Sequence, residues 1–375
     1  GGLACVGSTV EMDDVLVVDN KATLDGGGIY GVLCLFKAQS TSITRNNAGG
    51  NGGGLFFQSI SNIALENVDV SQNNAGGNGG GLSAVRARLF FMSTSIVSLN
   101  NADEGGGLHL DNTLSEPILQ DLDIRTNTAY NGGGGGLLWE SKKPRLARTE
   151  LIQGVHKQIL DYQRIIDETF TDDNSAQYGN NIASGITTLK VSLADHQVFN
   201  NILPFNPVIE IQVLDYYKKL VKRVNKPTSV IASVRSGNCL NPNFLSHRPN
   251  RSELGDCWTP EQGLRGKPVQ EIPGHEGKVN FTKLGLRSWP GNHTLKIEIP
   301  GVDFVLRTVT VEDCDKGYYL NADKDGNEFT GDSECRRCPG GYYKGEKGIW
   351  ACTACQSGFA CVEGSDAPRR CNPGE

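Results

Sequence analysis

The chain runs to 375 residues, beyond the usual size of one domain, and carries a formal net charge of −6. It has no basic stripe of the kind that binds nucleic acid, and its acidity is too mild to define a partner. No apolar run approaches the ~20 residues that span a bilayer. Twenty-five of the 47 glycines fall in residues 1–138 and seven of the 11 cysteines in residues 314–371, so three organisations follow one another.

Residues 1–185 are built on a repeat. Asn-x-Ala occurs at Asn20, Asn46, Asn73, Asn100, Asn127 and Asn174, and the first four steps are 26, 27, 27 and 27 residues. A glycine run closed by an aliphatic residue follows each of the first five, as in Gly52-Gly53-Gly54-Leu55. A β-branched residue stands three positions before each of the same five asparagines: Val17, Ile43, Val70, Val97 and Ile124. A fixed period of this size marks a solenoid. The units lack the long glycine-free stretches of helical repeats and consist of short Val/Ile/Leu/Ser/Thr runs between Gly/Asn corners. The pattern predicts a right-handed parallel β-helix with one repeat per coil, aliphatic columns inside and glycines at left-handed corners. The asparagine column is expected to bond side chain to side chain. A disordered Gly/Asn-rich linker would not keep the aliphatic positions in step.

The next step, from Ala129 to Ala176, is 47 residues. The excess coincides with Leu151, Val155, Ile159, Tyr162, Ile166 and Phe170, three or four apart and interleaved with charges. That spacing predicts an amphipathic helix of about five turns near 148–171, inserted in the last coil. Its expected role is to cover an open coil edge, which otherwise presents unpaired backbone. The alternative is a membrane-surface or partner helix, against which both signs of charge line the polar face.

Residues 186–313 switch to alternating strands at Thr188–Leu193, Val208–Leu214, Ser229–Val234, Thr294–Ile299 and Phe304–Val311, which predicts an immunoglobulin-like β-sandwich. Cys239 and Cys257 bracket a Pro/Asn/Arg-rich loop, and a disulfide there would add roughly 3 kcal/mol; two free thiols are the alternative. Asn-x-Ser/Thr sequons at Asn250, Asn280 and Asn292 join the cysteines in favouring a secretory route.

Residues 314–375 hold Cys335-x-x-Cys338 and Cys352-x-x-Cys355, a spacing open to zinc or to disulfides. Cys314, Cys361 and Cys371 continue the series, and so small a module is expected to be held by disulfides. Their connectivity is not readable, and the odd count suggests that Cys371 pairs outside this stretch. Asp323, Asp325 and Asn327 open like a calcium loop, without the flanking helices of an EF-hand; an ordinary acidic turn is the plainer reading. Cys5 and Cys34, on neighbouring coils, are either paired or buried thiols. The start at Gly1-Gly2-Leu3 inside a repeat, and the end at Cys371-Asn-Pro-Gly-Glu375, suggest a segment of a longer polypeptide.

Asn-x-Ala followed by Gly-Gly-Gly-Leu/Ile resembles the β-helix repeats of chlamydial polymorphic outer-membrane proteins. It is more similar still to repeats in very large surface proteins of algae and other protists. Gly277-Lys-Val-Asn-Phe-Thr-Lys-Leu284 with Pro290–Ile299 resembles the closing strands of invasin- and filamin-type domains. Cys338-Pro-Gly-Gly-Tyr-Tyr343 and Cys355-x-x-Gly358 resemble ephrin-receptor-like and growth-factor-receptor-like repeats, which implies disulfides among Cys314, Cys335, Cys338, Cys352, Cys355 and Cys361. Module order extends the resemblance along the chain, but these motifs specify architecture and no chemistry.

Catalysis finds little support in the sequence. A glycosidase needs two carboxylates about 5–9.5 Å apart. Asp69 and Asp123 share an outward offset but are two coils apart with Ile96 between; Asp121 and Asp123 share a strand face flanked by Thr94 and Ile96. No glycine run continues into a phosphate-binding Gly-Lys-Ser/Thr, and no histidine stands at a telling spacing from a Ser or Cys. The expectation is a non-enzymatic extracellular protein without a cofactor, building a surface fibre, mastigoneme-like flagellar hair or matrix. Its partners would be itself, other surface or filament proteins, or glycans. The alternatives are an adhesin or glycan-binding protein and, less favoured, a polysaccharide-active enzyme.

Overall fold

The computed structural model describes residues 1–152, 155–171, 173–199, 205, 208–222, 228–236, 264–274, 276–286, 290–321, 334–348 and 351–371. Strands dominate it, and it divides into two compact units. The first unit comprises Gly1–Thr187 with Leu214–Val224 and Gly274–Gly277; the second comprises Thr188–Val213, Asn225–Pro273 and Lys278–Glu375.

The first unit is a parallel β-solenoid of about five turns, each contributing four short strands. One turn runs through Ile29–Val32, Leu35–Gln39, Ser42–Thr44 and Asn47–Ala48, and each strand pairs in parallel with its counterpart one coil away. The strands thus build four ladders of seven, six, five and five members. Because the side-chain period of a strand is two, alternate residues of every ladder face inward, and equal offsets stack. Ile29, Leu55, Leu82, Leu108 and Leu137 form one inner column. Ile43, Val70, Val97 and Ile124 form another. All nine are completely buried.

The expectation that glycines serve the corners holds once per turn. Gly26, Gly52, Gly79, Gly105, Gly134 and Gly179 adopt φ between 57° and 69°. A second corner is made without glycine: Asp19, Arg45, Gln72, Leu99 and Thr126, each just before a ladder asparagine, take φ between 54° and 59°. A left-handed backbone costs such residues roughly 1–2 kcal/mol each. The hydrogen bonds that the following asparagine makes, described below, offset that cost.

The five-turn helix is replaced by a hairpin and a shorter helix. Thr149–Ile152 pairs antiparallel with Val155–Gln158, and the helix spans only Tyr162–Thr169. The physical reason lies in the sequence: Gly154 costs a helix about 1 kcal/mol, and the β-branched Ile152 and Val155 beside it favour strand. The helix starts where Asp161 caps it, its carboxylate accepting from the backbone N–H groups of Gln163 and Arg164. Arg164 then bonds Glu168 one turn on and Glu150 of the hairpin. Ile159, Ile165 and Phe170 are buried in the solenoid core, so the apolar face of this segment packs on the coils.

In the second unit one sheet orders strands Thr188–Val191, Ile209–Leu214 and Lys278–Phe281. The other orders Gln197–Phe199, Asp303–Val311, Gly291–Ile299, Ser229–Ser236 and Val269–Glu271. The alternating burial of Ile209–Leu214 and Gly291–Ile299 gives each sheet one apolar face. A cysteine-rich region of small hairpins follows from Cys314, beginning with Tyr318–Asn321 paired to Glu334–Arg337.

Candidate functional site

The asparagines at the repeat anchor stand in one column. The Nδ2 of Asn46 donates to Oδ1 of Asn73 at 3.0 Å and to the carbonyl of Val17 at 2.9 Å. Asn73 does the same to Asn100 and Ile43, Asn100 to Asn127 and Val70, and Asn127 to Asn174 and Val97. Each receiving Oδ1 also accepts the backbone N–H of the asparagine before it. Asn20 joins at the first coil, where its amide also bonds Val18, and Asn174 donates to Ile124 and Asn181 at the other end. Asn46, Asn73, Asn100 and Asn127 are at most 1% exposed, yet both of their amide hydrogens and both oxygen lone pairs are engaged. The accepting carbonyl belongs to the β-branched residue of the preceding coil, three places before that coil's asparagine and 29 or 30 residues before the donor.

Asp121 and Asp123 are held in local bonds, whereas a buried carboxylate oxygen of Asp69 has no hydrogen-bond partner among the described residues. Asp69, Ile96 and Asp123 do form one register column. Asp123 pairs with Arg125 at 2.8 Å and accepts from Thr171 at 2.7 Å. Asp121 accepts the Thr149 backbone N–H at 2.6 Å and its hydroxyl at 2.9 Å. One histidine pairing was missed: Ser83 Oγ lies 3.1 Å from Nδ1 of His109. Their separation of 26 residues is one coil period, so stacking register was the signal that would have found it. Ser83 is fully buried and His109 is 4% exposed, so the pair packs inside the fold. Among the described residues, no three His, Cys, Asp or Glu side chains cluster to hold a metal.

Sequence reasoning also missed a polar aromatic cluster at the end of the coils. Trp139, buried on the strand Leu137–Glu140, donates its indole N–H to the Tyr217 hydroxyl at 3.3 Å. Lys143, four residues on, places its ammonium 4.6 Å from the ring centroid of Tyr216 and 4.8 Å from that of Tyr162. It also reaches the Tyr216 hydroxyl at 3.3 Å. Burial works against the charge of Lys143, but the Tyr216 hydroxyl bond and the two tyrosines outweigh it and hold the amine above the ordinary lysine range. Beneath lies Asp215, fully buried, accepting the backbone N–H groups of Lys219 at 2.7 Å and Ser184 at 3.4 Å. Burial nonetheless pushes its carboxyl upward. These partners are 73 or more residues apart in sequence across the Trp139–Tyr217 and Lys143–Tyr216 bonds, and no periodicity announces them.

The cysteine region resolves the zinc alternative. Cys314 pairs with Cys335, Cys338 with Cys352 and Cys355 with Cys361, so both Cys-x-x-Cys pairs are consumed by disulfides. Cys5 and Cys34 also pair, while Cys371 is the free cysteine among the described residues. Lys344 is buried within this region and donates to the carbonyls of Tyr318 at 2.6 Å, Cys314 at 3.5 Å and Gly348. Asn280 and Asn292 are exposed on strands, with Asn292 accepting from the Thr310 hydroxyl at 2.7 Å. Cys239, Cys257, Asn250 and the calcium candidates Asp323, Asp325 and Asn327 lie outside the described residues.

No protein-family model matches this chain, and no curated protein does. Among the described residues, no helix is long and apolar enough to cross a membrane.

Proposed function

We propose that this chain is an extracellular structural or cell-surface protein whose solenoid serves as a stiff element in a surface fibre, flagellar hair or matrix. The observation that carries this reading is the asparagine column. Its buried amides tie successive coils together, so the repeated part of the sequence is committed to rigidity. Disulfides persist in oxidising compartments, which supports an extracellular setting for the cysteine-rich region. The two sheets of residues 188–311 are read as an immunoglobulin-like sandwich, a reading supported by their one-sided burial. Exposed sequons at Asn280 and Asn292 are open to a glycosylating enzyme. Architecture of this kind agrees with the resemblance to large surface proteins of algae and protists.

A membrane-impermeant amine label applied to intact source cells tests the proposal. Exposed lysines such as Lys37 and Lys142 are expected to be modified before lysis. Labelling that appears only after the cells are opened would sink the extracellular reading.

A further inference from the structure

We propose that the Lys143–Tyr162–Tyr216 cluster, with the lysines and arginine around it, is a binding surface for an anionic polysaccharide. Two stretches brought together in the first unit supply it, residues 139–147 and 214–222. They contain Lys142, Lys143, Arg145, Lys218, Lys219 and Lys222 against Glu140 and Asp215, six basic groups and two acidic, a local balance of +4 in a chain of net charge −6. Asp215 is buried and spends its oxygens on backbone N–H groups, so the charge presented outward is more positive than the count.

Four of the basic side chains are not consumed in ion pairs. Lys142, Arg145, Lys219 and Lys222 are exposed and make no salt bridge among the described residues. Several guanidinium groups elsewhere in this unit are paired, as in Arg45–Asp19, Arg125–Asp123 and Arg148–Glu168. Field from unpaired like charges concentrates counter-ions and attracts a polyanion, with a salt dependence that reports the number of contacts.

Tyrosines decide the class of polyanion. Tyr216 is 47% exposed and Tyr162 43%, unusual for rings held in place by a cluster, and Lys143 fixes both. Trp139 and Tyr217 support Tyr216 from behind, through ring contacts of 5.6 and 5.2 Å. A rigid aromatic face beside an ammonium suits a sugar ring, which stacks its C–H face on the electron-rich ring and directs a sulfate or carboxylate to the amine. Nucleic acid would use the same charges, but disulfides favour an oxidising compartment in which acidic glycans are the accessible polyanion. The site stands on its own geometry, whether or not the chain builds fibres.

Biolayer interferometry on the whole chain tests it, with dextran sulfate and a polyuronate as probes and with neutral dextran, duplex DNA and anionic phospholipid vesicles as comparators. Sulfated or uronate polymer is expected to bind and neutral dextran not, with affinity falling steeply as salt rises. Tyr216→Ser and Lys143→Gln should each weaken binding at least fivefold. The surface variant Lys142→Gln/Lys219→Gln/Lys222→Gln, which touches no packed group, should reduce the salt slope by roughly two to three contacts. Melting temperatures identify any variant that fails through misfolding, and the surface variant keeps the question open to measurement in that case. Equal binding of DNA and acidic glycan, unaffected by Tyr216→Ser, would overturn the proposal in favour of unspecific charge. Binding to vesicles alone, or to none of the probes, would overturn it as well.

Discussion

Replacing Asn100 with alanine separates the asparagine column from the ordinary apolar core. The Asn100 side chain takes part in four hydrogen bonds: it donates to Val70 and Asn127, and it accepts the backbone N–H and the side-chain amide of Asn73. Alanine leaves the Val70 carbonyl and two Asn73 donors without this partner in a site that is 0% exposed. At about 1–3 kcal/mol for each buried group left unmet, the three groups give an expected loss of about 3–9 kcal/mol, a large part of the stability of an ordinary domain. Asn20 is the internal control. It sits on the first coil, partly exposed, and among the described residues its side chain bonds Val18 and Asn46 alone. Asn20→Ala is therefore expected to cost about 1 kcal/mol or less than twice that. Urea unfolding followed by circular dichroism measures both. If Asn100→Ala costs no more than Asn20→Ala, the buried ladder is not what holds the coils, and the reasoning fails.

Three further outcomes follow from the packing. Gly81→Ala would place a methyl 2.7 Å from the Gly107 carbonyl oxygen and 3.1 Å from Nδ2 of Asn100, so a loss of about 1–3 kcal/mol is expected in the same urea experiment; an unchanged midpoint would contradict the close coil approach. Lys344→Met leaves the carbonyls of Cys314, Tyr318 and Gly348 without their donor and should lower the melting temperature and speed reduction of the disulfides around it. Unaltered melting and reduction would show that the buried ammonium contributes nothing. Burial raises the Asp215 carboxyl above its unfolded value of 3.8, so between that value and the folded one the native state holds the extra proton. Stability of the parent relative to Asp215→Asn should accordingly fall as pH rises through that window and then level off, and a pH-independent difference would contradict the direction.

Much of the solenoid was legible because stacking turns spacing into contact. The steps of 26 and 27 residues between asparagines become hydrogen bonds between coils, and the β-branched residue three places before one asparagine becomes the second acceptor for the asparagine of the next coil. What periodicity could not give was structure that departs from the repeat. Leu151 through Phe170 matched a helical spacing, but the first half of that stretch pairs as a hairpin and only Tyr162–Thr169 is helical. The left-handed corners at Asp19, Arg45, Gln72, Leu99 and Thr126 carry no shared residue type, since the following asparagine and not the corner residue sets the turn. Ser83 and His109 stand 26 residues apart, one coil period, so their pairing becomes visible only through the stacking register. The Lys143 cluster joins segments more than 70 residues apart, a pairing that only tertiary structure reveals. Disulfide connectivity was likewise beyond the reach of spacing, whereas the presence of disulfides followed from the small size of the module.

The most direct measurement of a structural role is the assembly state of the native material, by sedimentation velocity together with negative-stain electron microscopy. A stiff element of a surface fibre or matrix predicts ordered, laterally associated particles of constant width. Monodisperse single chains at every concentration, with no ordered contact between them, would contradict the account.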